Sequence, residues 1–148
     1  MELVKNLFGQ NGYFGPFDGA VEPELLTARE YFALLEHGLS TVHKERYVRF
    51  HARWAANDAR RGRSESIPLS HAETLNLEAL ALLLDESDVK DLLSKAELMR
   101  ELGRFDEATA MLDKIVGGVR SPIAQNMRSL IEQRDSLVRP LPNSRSLL

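Results

Sequence analysis

Apolar residues recur along this chain at three- and four-residue intervals, and glycine, proline and capping residues cut the pattern into six helices. The first predicted helix opens at Pro23, carries Leu25, Leu26, Tyr31, Phe32, Leu34 and Leu35, and stops at Gly38. A second runs from Thr41 or Val42 to about Arg61, with Tyr47, Phe50 and Trp54 along one face, and Gly62 ends it. A linker, Arg63 to Leu69, has no helical character. Ser70 and Glu73 then form a capping box that starts helix three. Its leucines point two ways, Leu75, Ala79, Leu82 and Leu83 to one side and Leu77, Leu80 and Leu84 to another, so this helix is expected to be central and covered on more than one side.

Helix four is capped by Ser87 or Asp88 and turns Val89, Leu92, Leu93, Ala96, Met99 and Leu102 inward before Gly103. Helix five follows at once, from about Phe105 to Val116, and Gly117-Gly118 closes it. Ser121-Pro122 reads as N-cap and first turn of helix six, which carries Ile123, Met127, Leu130 and Leu137 inward until Pro140 and Pro142. Small residues at 96 and 108 lie where helices four and five must approach closely, and Leu92, Met99, Phe105 and Leu112 fill the space beside them.

The fold class expected is therefore all-α, built of antiparallel helical hairpins in a single domain over residues 1–138. Before it, residues 1–22 are rich in glycine and aromatics. Asn11-Gly12 between Phe8 and Tyr13-Phe14 predicts a short hairpin or an aromatic loop packed on the helices, and Pro16 blocks a longer strand. Residues 139–148 are expected to form a flexible tail.

The run Leu92, Ala96, Met99, Gly103, Phe105, Ala108, Leu112 resembles one helix pair of the tetratricopeptide-repeat family, a unit of about 34 residues. The resemblance covers 89–122 and implies a tightly crossed hairpin that presents a surface to another protein. Three positions depart from the family pattern: Lys95 stands where leucine is usual, Met99 replaces an aromatic, and the terminal proline is displaced to Pro122. No second Gly-x-Phe turn occurs in helix three, so the pair is expected to be extended by non-repeat helices. The string Arg49-Phe50-His51-Ala52-Arg53-Trp54-Ala55-Ala56-Asn57-Asp58 is also similar to helices of uncharacterised bacterial proteins, a likeness that brings no activity with it.

Charge changes this picture in one place. The net charge is -3, yet residues 41–63 hold seven lysines and arginines against Glu45 and Asp58. Such a segment on an acidic body most often pairs with neighbouring acidic helices, here expected to be helices four and five. Its second use is a phosphate-contacting strip of Arg46, Arg49, Arg53 and Arg60, which makes a nucleic-acid accessory protein the alternative reading. A pI of about 5.8 and the lack of a recognition-helix signature weigh against nucleic acid as a partner.

Candidate chemistry is sparse. His37, His43, His51 and His71 lack metal-ligand spacing, no glycine loop cradles a phosphate, and no serine stands in a nucleophile elbow. The sequence predicts no catalytic residue, no metal site and no cofactor, and hence no enzyme. It predicts a protein- or peptide-binding scaffold, with Arg46, Arg49, Arg53, Lys95 and Arg100 as polar anchors surplus to core packing, on a face left open between helices two, four and six. Pairing with a second copy through an open helical face is a further expectation. The absence of cysteine, of a signal-like N-terminus and of any run of about 18 apolar residues predicts a cytoplasmic protein with no membrane partner.

Overall fold

A computed structural model of the chain describes residues 25–115 and 121–139. Within them lie six helices and no strand: α1 (Ala28–Glu36), α2 (Val42–Asp58), α3 (His71–Leu83), α4 (Val89–Glu101), α5 (Phe105–Asp113) and α6 (Pro122–Glu132). The fold is all-α, as the periodicity predicts. The aromatic segment 1–22, the Gly117-Gly118 break and residues 140–148 of the tail lie outside the described residues.

Capping chemistry sets the helix starts. α1 begins later than Pro23 because Thr27 and Glu30 close a capping box, the Thr27 amide donating to the Glu30 carboxylate at 2.7 Å. Leu25 is left outside the helix and 84% exposed. The Ser70–Glu73 box starts α3 as expected, and Asp88 rather than Ser87 caps α4 by accepting from the Asp91 amide.

The chain leaves α1, α4 and α6 through a residue in the left-handed region, whereas α3 ends on extended Leu84. After α4, Gly103 at φ +73° lets its own amide reach Arg100 O and the Arg104 amide reach Met99 O, the paired bonds of a Schellman turn. The same motif ends α6 at Arg134, φ 51°, whose guanidinium stacks 5.5 Å from the Phe105 ring centroid. Leu137, expected inside helix six, therefore lies beyond it. The expectation failed because a non-glycine residue in that conformation carries no sequence signature.

Two apolar clusters result. The larger joins α3 to α6, with Leu77, Leu80, Leu92, Leu98, Leu112 and Met127 at its centre, and both Ala96 and Ala108 are fully buried in it. The smaller joins α1 to α2 through Tyr31, Leu34, Val48 and Ala52. α3 touches both neighbours, α2 and α4, but among the described residues nothing covers its other apolar side, where Leu75 is 50% and Leu82 is 84% exposed. Among the described residues no helix is long and apolar enough to cross a membrane.

An added Cβ at Gly103 meets no atom within 4 Å, so substitution there tests backbone conformation alone. Gly103→Ala is expected to lower unfolding free energy by about 1 kcal/mol, and Gly103→Asn by less, in urea denaturation with an unchanged m-value.

Candidate functional site

Positions 46, 49 and 53 are three and four residues apart, which aligns their side chains on one face of α2, and Arg60 continues the row just past the helix end. That face lies against α3 and α4, and each arginine meets an acceptor there. Arg46 grips Asp91 with two bonds of 2.6 Å. Arg49 reaches Glu45 on its own helix at 2.8 Å and Asn76 on α3 at 3.2 Å, while the Asn76 amide donates back to Arg49 O at 3.0 Å. Arg53 forks onto Glu101 at 3.1 and 2.8 Å, and Asn57 adds a third bond to that carboxylate at 3.3 Å.

Arg60 uses all five of its N–H groups. They go to Ala56 O, Ile67 O, Pro68 O and both oxygens of Glu73, which pins the 63–69 linker against the end of α2. The partners thus come from α3 and α4, with Glu45 from α2 itself; α5 contributes none of them.

These contacts correct the premise that the predicted anchors are surplus to packing. Arg100 has no exposed surface at all; it forks onto Glu97 at 2.8 and 2.7 Å and donates to the backbone oxygen of Asp135. The Arg53 side chain is 13% exposed, and Lys95 is bound to Glu86 at 2.5 Å. Only Arg46 shows as much as 35% of its side chain. A long cationic side chain marks a surface position only where no carboxylate waits for it inside, and single-sequence periodicity does not show the partner. The structure brings Arg46, Arg49 and Arg53 together on one face, and sets Lys95 and Arg100 on α4 in separate ion pairs.

Of the acidic partners, Glu73 was read from the sequence only as part of the helix-three cap, and Asp91, Glu97 and Glu101 were not singled out. The available signal was the surplus of acid outside residues 41–63, which gave their number and not their positions. Burial acts to raise the Glu101 carboxyl, but the Arg53 guanidinium, with Arg100 and Asn57, outweighs it and holds the group below the ordinary range. Glu73 is lowered in the same way, burial being outweighed by Arg60 and by the Ser70 amide. At the exposed surface, Lys114 and Lys95 bring Glu86 down to about 2.

Of the histidines, His51 stands in an aromatic row on α2, 4.2 Å from the Tyr47 ring, 4.9 Å from Trp54 and 5.7 Å from Tyr31 of α1, and burial pushes its pKa down. No group of three His, Asp or Glu among the described residues is arranged to hold a metal.

Where α2 and α4 end, the fold leaves a cleft of about 230 Å³. Its walls are the linker around Ile67 and Leu69, the α4–α5 turn at Leu102 and Gly103, and Leu137 and Val138 beyond α6. Buried Asn57 and Glu101 line it with Arg60. Both non-helical walls are held by arginines of the network, the linker by Arg60 and the segment after α6 by the bond from Arg100 to Asp135.

Two measurements test this network. Arg53→Met and Glu101→Leu are each expected to cost about 3 kcal/mol, since each strands a buried charge, whereas the double variant recovers at least about 2 kcal/mol of the summed loss in a denaturation cycle. For pH, folding lowers the pKa of Glu73 and Glu101, so their contribution is present above the unfolded value of 4.5 and is lost as pH falls through the folded values. His51, lowered by burial, removes stability once pH drops below 6.5. Melting temperature is therefore expected to fall in a small step below pH 6.5, absent in His51→Gln, and in a larger one below pH 4.5.

No protein-family model, curated protein or solved structure matches the chain, so the reading of its function rests on its own residues.

Proposed function

We propose that this chain is a non-catalytic interaction module that seats a short segment of another protein in the cleft at the ends of α2 and α4. The observation that carries this reading is the cleft itself: half-buried apolar walls, Ile67, Leu69, Leu102, Leu137 and Val138, around a polar floor of Asn57 and Glu101. Apolar walls with a few fixed polar groups suit a side chain held in a defined orientation. The cleft also opens at the junction of α2, α4 and the segment after α6, the region where the sequence leads one to expect an open face. Its volume admits one or two side chains, the size of an anchor in a peptide contact rather than of a whole folded partner.

The α4–α5 hairpin supports the same reading, as a single tetratricopeptide-like pair whose turn forms one wall. A cytoplasmic setting belongs to this proposal too. The arginines of the candidate phosphate strip are occupied: Arg46, Arg49, Arg53 and Arg60 all hold carboxylates, and Arg61 holds Asp58 at 2.7 Å. Nucleic acid is therefore not the partner proposed.

Selection of a random displayed peptide library against the full chain, followed by NMR titration with the selected peptides, tests the proposal. Shifts centred on the amides of Ser66, Ile67, Leu69, Gly103 and Leu137 are expected. Peptides that bind elsewhere, or no selection above background, overturn it.

A further inference from the structure

We infer that the side chain seated in this cleft is a lysine of the partner peptide, its stem along the apolar walls and its ammonium at Glu101 and Glu65. The inference rests on the interaction reading above and adds the chemistry of the anchor.

The argument is a count of donors and acceptors. Arg60 is the cation that lines the cleft, and its five N–H groups are all consumed by Glu73 and three backbone oxygens, so it offers a ligand no hydrogen bond. Asn57 spends one of its two N–H groups on Glu101. The acceptors are in surplus. Glu101 receives two bonds on Oε1 and one on Oε2, which leaves a lone-pair site on Oε2. Glu65, on the linker wall, is exposed and has no ion-pair partner among the described residues.

Helix polarity adds to this. The cleft sits at the C-terminal ends of both α2 and α4, the negative ends of their helix dipoles. Arg53 is committed to Glu101, Arg61 is paired with Asp58, and Arg63 is not among the lining residues. An anionic ligand would find no uncommitted cation among the lining side chains, since Arg60 is the only one and all five of its N–H groups are spent. A methylene stem ending in three donors matches both walls and floor.

The test uses the full chain, isotope-labelled, titrated by NMR with N-acetyl-lysine methylamide, its neutral isostere N-acetyl-norleucine methylamide, and N-acetyl-glutamate methylamide. The lysine probe is expected to shift the amides of Ser66, Leu102, Gly103 and Leu137 and to bind at least about tenfold more tightly than the norleucine probe, with affinity falling as salt rises. Glu65→Gln, a substitution at an exposed residue outside the buried network, is expected to weaken the lysine probe about threefold and leave the norleucine probe unchanged.

Equal binding of lysine and norleucine, or tighter binding of glutamate, overturns the inference. If library-selected peptides shift the cleft amides but carry no lysine, the lysine anchor falls and the interaction reading stands. If neither probes nor selected peptides shift those amides, both fall.

Discussion

Neutralisation of the arginines on α2 is the constraint from which the remaining arrangement follows. A guanidinium brought into a packed interior without a carboxylate is costly by several kcal/mol, so the face that carries Arg46, Arg49 and Arg53 can dock only in a register that delivers an acceptor to each. Asp91 at the start of α4 and Glu101 at its end are ten residues apart, and they receive Arg46 and Arg53. Each lies near a helix terminus, and the matched pairs fix both where α4 lies along α2 and which way it runs. Apolar contact alone is non-directional and would tolerate a slide.

This charged layer lies between two apolar clusters that are otherwise separate. Tyr31, Leu34, Val48 and Ala52 hold α1 to α2, and the larger core holds α3 through α6. Phe50 reaches from α2 to the larger core, but most of that helix face is polar. Ionic contacts therefore do in this protein what buried leucines do between α4 and α5. They also shape the surface, because Arg60 and Arg100 each spend donors on backbone oxygens of segments without helical structure, Ile67 and Pro68 in one case and Asp135 in the other. A cleft walled by two irregular segments keeps its form only if those segments are tied down.

The uncovered side of α3 shows the same logic from the apolar direction. Leu77, Leu80, Ala81 and Leu84 are buried, whereas Leu75 and Leu82, seven residues apart, face away from the core. Six leucines between residues 75 and 84, alanines aside, ring this helix and suggest burial on more than one side. The described fold covers only the side that α2 and α4 reach, since polar Asn76 and Glu78 at the edges of the buried face already engage Arg49 and Arg104 and close the contact there.

The amino-acid sequence by itself determined the all-α class, the existence of all six helices, the Ser70–Glu73 start of α3, the Gly103 turn and the burial of Ala96 and Ala108. Each of these depends on residues within a few positions of one another, through helical periodicity, capping and the left-handed freedom of glycine. The end of α6 at Arg134 escaped, because its conformation is stabilised by neighbours instead of residue type. Partner choice escaped as well. That Arg53 meets Glu101, that Arg100 is buried on Glu97 and Asp135, and that a cleft opens at Asn57 and Glu101 depend on segments tens of residues apart being brought together, and only the tertiary structure decided them. Charge is visible in a sequence; whether it is solvated or neutralised is a property of what folds against it.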